Sequence, residues 1–251
     1  MNHRVIGTTL PVLELQLEPG ESVVAISGEF SWMSSSVSLH TSSQFGGGGG
    51  FLGALKRVAG GGSLFMTQYT AQRQKGLLAF ATRVPGHILP VDVRPGQGYF
   101  IHRHGFLCST PGVELSVGFQ QSLGAGIFGG DGFLLQKLGG ACQTWIELDG
   151  EVVTYDLARG ETMRVHPGHV GMFTEGVDFQ ITRIQGIRNM LFGGDGIFLA
   201  SLTGPGRIWL QSLPLSNLAH ALRPYLGTAS ESVQDATAGA VIGSVVRGLS
   251  R

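Results

Sequence analysis

The 251 residues carry 17 basic and 17 acidic side chains, 41 glycines and 42 % hydrophobic residues. The cancelled charge excludes a broad cationic surface for nucleic acid or acidic lipid, and the hydrophobic content excludes a disordered chain. Abundant glycine beside only 14 % charged residues suits many tight turns between short, half-buried strands, so an all-β protein is expected.

In chain order, the opening MNHRVIGTTLPV has no apolar run of signal-peptide length, and a cytoplasmic location is the expectation. Alternation and turn chemistry predict strands from Val23 to Ile26, Tyr99 to Ile101, Val113 to Val117, Thr144 to Leu148, Glu151 to Leu157 and Ile208 to Leu210. Between the first two, Gly46 to Gly50 lead into FLGALKRVAGG. This run predicts a short amphipathic helix with Leu52, Leu55 and Val58 on one side and Lys56 and Arg57 on another. Asp149-Gly150 predicts a two-residue hairpin in which both central residues take positive φ, and Pro167-Gly168 predicts a second turn. Cys108 and Cys142 lie on apolar runs without CxxC spacing and read as reduced, buried thiols. Residues 214–226 predict a short helix closed by Pro224. Residues 227–251 form a tail rich in Ala, Gly and Ser, expected as a docked or frayed helix. Its apolar tract, Ala236 to Val246, is far shorter than the ~20 residues that span a bilayer.

Self-similarity organises these elements. FGGDG occurs at residues 128–132 and again at 192–196, a shift of 64. The same gapless shift pairs Asp92 with Asp156, Gly96 with Gly160, His102 with His166, Gly140 with Gly204 and Trp145 with Trp209. A third copy lies upstream at a shift of 76, where Pro19-Gly20 meets Pro95-Gly96 and Phe30 meets Phe106. The expectation is one β domain, residues 1–226, made of three repeats at about 12–87, 88–151 and 152–215, the first interrupted by the glycine-flanked insertion.

Among side chains with chemistry, Gly96 followed by His102-Arg103-His104 matches the opening of a cupin metal motif. Residues two apart on a strand share a face, so the two imidazoles could meet one metal ion. The acidic ligand such a site wants four or five residues later is missing; the next carboxylate, Glu114, follows after ten. His166 and His169 flank the Pro-Gly turn, but the repeat pairs His104 with Gly168. The favoured alternative makes His102 and His166 polar residues at strand ends, hydrogen-bonded to a turn. No G-x-S-x-G elbow accompanies Ser34 to Ser36 or Ser42-Ser43, and Asp131 and Asp195 sit in glycine turns where Asp bonds its own backbone. The reading therefore assigns no catalytic residue, no metal ligand and no cofactor, and leaves ligand-binding residues unknown.

GGGSLFMTQYTA near residue 66, FLCSTPGVEL at 106–115, FGGDGFLLQKLGG at 128–140 and the GPGRIWLQSL ending at Leu213 together resemble the bacterial relatives of altered inheritance of mitochondria protein 24. That family is a TRAP-like β-fold family, and the resemblance covers residues 12 to about 215. It implies a double-stranded β-helix with internal repeats, assembled as a homo-oligomer, a trimer. It also implies a poorly defined molecular activity in bacterial members and organisation of inner-membrane architecture by the mitochondrial relative. The TRAP-like name comes from a ring protein that binds RNA. The cationic track with interleaved aromatics that single strands need is missing here, since Trp145 and Trp209 lie in apolar strands. The expected function is thus non-catalytic binding or scaffolding, with the insertion and tail offered to a protein partner or a membrane face; a cupin-like metal enzyme using His102 and His104 is the alternative.

Overall fold

In the computed structural model, which describes residues 1–42, 66–121, 132–184, 197–222 and 225, period-two alternation sets the strands. In VLELQL, residues 12–17, Leu13, Leu15 and Leu17 are fully buried while the residues between them face outward. Successive side chains of a strand point to opposite faces, so this pattern buries one face only. CQTWIELD, residues 142–149, is buried along almost its whole length, as a central strand covered on both sides requires.

The described chain is all-β. Its strands are β1 (Asn2–Ile6), β2 (Val12–Leu17), β3 (Ser22–Ile26), β4 (Trp32–Met33), β5 (Val37–Ser42), β6 (Met66–Ala71), β7 (Gly76–Ala81), β8 (Gly86–Val93), β9 (Tyr99–His102) and β10 (Phe106–Ser109). There follow β11 (Val113–Gln121), β12 (Phe133–Gly140), β13 (Cys142–Asp149), β14 (Val152–Leu157), β15 (Thr162–Val165), β16 (Val170–Thr174), β17 (Asp178–Ile184), β18 (Ile197–Thr203) and β19 (Gly206–Gln211). A 3-10 turn at Pro167–His169 stands where the second turn was expected. One helix, α1 (Leu215–Leu222), lies within the predicted 214–226. The chain divides into two parts, Met1–Ser216, which holds all these strands, and Asn217–Arg251. Of the second part only the remainder of α1 and Tyr225 are described.

Four antiparallel sheets result, in the orders β1-β2-β7-β4, β5-β6-β3-β10-β13-β8, β11-β12-β9-β16-β19-β14 and β15-β18-β17. Adding six to every strand number of the second sheet gives the third, in order. Each six-stranded sheet takes three strands from one stretch of chain and three from the next, joined at β3–β10 and at β9–β16. Three apolar clusters fill the body. Leu13, Leu78, Phe80 and Trp145 belong to one, Ile101, Phe106, Ile146 and Leu148 to another, and Phe173, Leu202 and Ile208 to the third.

Three turns repeat with the strands. In residues 18–21, 94–97 and 158–161 the fourth N–H donates to the first carbonyl, at 2.9, 2.9 and 3.0 Å. The third residue of each is Gly20, Gly96 or Gly160, with φ of +86°, +78° and +80°. A type II turn demands this sign of φ at its third residue, and glycine adopts it without steric penalty.

The hairpin expected at Asp149-Gly150 does not form. Gly150 has φ +73°, but no non-glycine residue among those described has positive φ, so Asp149 cannot complete the predicted turn. The cause lies in pairing: both edges of β13 are taken, by β10 and β8, and β14 pairs with β19 in another sheet. Asp149-Gly150 is therefore a corner between sheets. The predicted insertion helix over Leu52 to Val58, Asp131 and Asp195, and the 227–251 tail lie outside the described residues.

Candidate functional site

Strand β9 ends at His102, and Arg103-His104 already belong to the turn into β10. The strand alternation that would have brought His102 and His104 to one face therefore stops one residue too early. His102 is buried, and its Nε2–H donates to the main-chain carbonyl of Glu147 at 2.9 Å. Burial disfavours the imidazolium and holds His102 down to about 4, against the opposing pull of that bond. His104 is exposed, and its Nδ1 accepts from the Arg83 guanidinium at 3.4 Å.

The turn is closed by Gly105, whose N–H donates to the His102 carbonyl at 2.9 Å and whose carbonyl accepts the Glu147 N–H at 2.8 Å. A Cβ on Gly105 would stand 2.8 Å from His102 Cδ2, so the imidazole and the turn backbone pack without room for a side chain.

Glu147 sits on β13 between apolar neighbours and is 3 % exposed. Its Oε1 accepts the Arg83 N–H at 2.9 Å. Burial pushes its carboxyl up to about 7; the Arg83 bond and charge oppose this, while Asp149 and Glu29 reinforce it. Burial also raises Asp149, against a bond from the Leu215 backbone and the charges of His104 and Arg83. The Arg83 guanidinium is itself ion-paired with Glu29. The result is a cluster of Glu29, Arg83, His102, His104, Glu147 and Asp149, with His102, Glu147 and Asp149 buried and Arg83 and His104 exposed, where the β7–β8 loop, the β9–β10 turn and the end of β13 meet. A carboxyl near neutrality lies in the range useful for proton transfer, but at this exposure Glu147 faces protein rather than substrate.

At the 64-residue shift read from the sequence, Glu147 corresponds to Gln211. Gln211 is likewise buried, its Oε1 accepts the Asp149 N–H at 3.1 Å, and its Nε2 donates to the Gly168 carbonyl at 3.1 Å. Its main-chain carbonyl accepts from His169 Nδ1 at 2.8 Å. His166 and His169 stand with ring centroids 5.8 Å apart, and burial followed by His169 holds His166 below the ordinary histidine value.

Among the described residues, no group of three or more His, Cys, Asp or Glu side chains is arranged to hold a metal ion. Cys108 and Cys142 are free and buried, and burial drives the Cys108 thiol well up, away from the thiolate. Ser34 and Ser36 bond each other at 2.8 Å. Trp145 is fully buried, and Arg207, 6.0 Å from the Trp209 ring, is bonded through Nε to Asp156 at 2.6 Å. Neither tryptophan lies on an open cationic track. Glu147 and Arg83 were not singled out from the sequence, and Asp149 entered only as half of an expected hairpin turn. The available signal was a carboxylate inside the apolar run Trp145-Ile146-Glu147-Leu148, opposite a glutamine in the shifted copy.

A family model described as Mitochondrial biogenesis AIM24 matches residues 3–213. The uncharacterized protein M6_Spy0233 of Streptococcus pyogenes serotype M6 is 28 % identical over 223 residues, 88 % of each chain. The X-ray structure of SPYM3_0169 from Streptococcus pyogenes superposes with a TM-score of 0.69 at 26 % identity, covering 90 % of this chain and 99 % of that one.

Proposed function

From the premise that the chain belongs to the Mitochondrial biogenesis AIM24 family, we propose that it is a non-catalytic binding or scaffolding protein, a double-stranded β-helix of three repeats that assembles as a homotrimer. The observation that carries this reading is the use to which the best-placed chemical groups are put. His102 Nε2, His169 Nδ1, Glu147 Oε1 and both polar ends of Gln211 are engaged with main-chain groups of neighbouring segments. They tie turns to strands. The six-strand offset between the two large sheets supports the repeat reading, because duplicated segments pair in duplicated ways. An organising role at a membrane surface, with the insertion and the tail as contact surfaces, extends the same reading. It is compatible with the finding that no helix among the described residues is long and apolar enough to cross a membrane.

The test is crosslinking in native cells followed by mass spectrometry, run with the full chain and with a chain ending at Leu226, beside light scattering of the purified protein. A trimer and a partner lost on truncation are the expected results. A concentration-independent monomer, with the same crosslinks in both chains, would remove the basis for the proposal.

A further inference from the structure

We propose that Glu147 is a proton-binding site that locks the joint between the β7–β8 loop, the β9–β10 turn and β13, and that loss of its proton loosens that joint. One residue holds all three segments. Its carboxyl accepts the Arg83 N–H from the loop, its main-chain N–H donates to the Gly105 carbonyl, and its main-chain carbonyl accepts the Nε2–H of His102. The carboxyl is buried, and a buried anion is tolerated only when a cation or several donors face it.

The groups facing it do not supply that balance. Asp149 shares its strand and Glu29 approaches from the segment after β3, both acidic. Arg83, the one cation acting on the carboxyl itself, has its guanidinium paired with Glu29 and bonded to His104. His102 is held neutral by burial, and Arg103 and His104 lie in the turn beyond it. A neutral carboxylic acid is the form these surroundings favour.

Gln211 supplies independent support. At the equivalent position in the shifted copy a neutral amide, equally buried, accepts a backbone N–H from the end of the preceding strand, that of Asp149 on β13. Glutamine is isosteric with protonated glutamate. The two joints are then alike when Glu147 carries its proton and unlike when it does not. Dissociation releases the proton to water and leaves a carboxylate among Asp149 and Glu29. The larger penalty is burial, and it is relieved when the joint opens and water reaches the carboxylate, which gives up the bond from the Arg83 N–H and lets that amide exchange.

The experiment uses the full chain. A 13C side-chain carboxyl titration from pH 4 to 9, with Glu147 assigned through bonds to its own backbone, is expected to give a midpoint near neutrality. A midpoint in the ordinary glutamate range overturns the site. Protection of the Arg83 and Gly105 amides, corrected for intrinsic base catalysis, is expected to fall through that same midpoint; constant protection overturns the loosening. In Glu147→Gln the fall should vanish, and the ratio of its folding constant to that of the parent chain should rise on the order of a hundredfold from pH 4 to pH 8. A ratio flat with pH counts against the proposal. Should the variant fail to fold, the titration and the exchange of the parent chain decide alone.

Discussion

His102 and Glu147 are titratable groups that the fold holds uncharged by opposite displacements, and the signs determine how stability follows pH. His102 has a folded value of about 4 against an ordinary 6.5. Its contribution is complete above 6.5 and is lost as pH falls towards 4. Glu147 has a folded value of about 7 against an ordinary 4.5, so its contribution is complete below 4.5 and is lost as pH rises towards 7. Between 4.5 and 6.5 the unfolded chain has exchanged one proton between the two groups and the folded chain has not, so the slopes cancel. Each displacement corresponds to about 3 kcal/mol. His102→Asn, which keeps an N–H for the Glu147 carbonyl, removes one slope only. Urea unfolding of this variant should show stability falling from pH 4.5 to 6.5 relative to the parent chain, in which the two slopes cancel. Parallel profiles would refute the cancellation. The sequence marked His102 as a polar strand end bonded to a turn; it does end β9, but its side chain is bonded to strand β13. Its acceptor, a carbonyl 45 residues away, left no trace in the residue types, because every residue has a carbonyl.

At the level of elements, the three repeated turns separate backbone strain from packing. Nothing lies within 4 Å of a Cβ built on Gly20, Gly96 or Gly160, yet all three have left-handed φ. Alanine at any one of them should therefore cost about 1 kcal/mol, from the backbone alone. The three costs should add, because distant sites without shared partners behave independently. Gly105→Ala differs: the new methyl meets the His102 ring, so its cost should exceed the others and the His102 resonances should shift. Denaturant unfolding with imidazole NMR checks both statements; equal costs at all four positions would mean that the packing at Gly105 has been misjudged. These turns were readable because Pro-Gly and Arg-Gly pairs recur at fixed shifts between apolar runs. The Asp149-Gly150 corner was misread for a related reason. A turn dipeptide reports local bending, whereas the choice between a hairpin and a sheet crossing depends on which strands already occupy the edges of β13.

For the whole molecule, periodicity revealed which faces are buried but not which strands are neighbours. β3 meets β10 and β9 meets β16 across gaps that no local pattern encodes. Those pairings have a mechanical consequence. Because each six-stranded sheet is shared between successive stretches of chain, one stretch cannot unfold without stripping hydrogen bonds and apolar cover from the next. Packed segments coupled in this way unfold together, even in a chain long enough to populate intermediates. The three tryptophans are placed to report this. Trp32 lies in the first sheet, Trp145 in the second and Trp209 in the third. In variants that keep one tryptophan and replace the other two by phenylalanine, overall stability will differ, most where the fully buried Trp145 is lost. Within each variant, however, the fluorescence midpoint should coincide with that of far-ultraviolet circular dichroism. A fluorescence transition that separates from the dichroism in any one variant would show that its stretch melts alone. In that case the shared sheets contribute less to cohesion than the cores within each stretch.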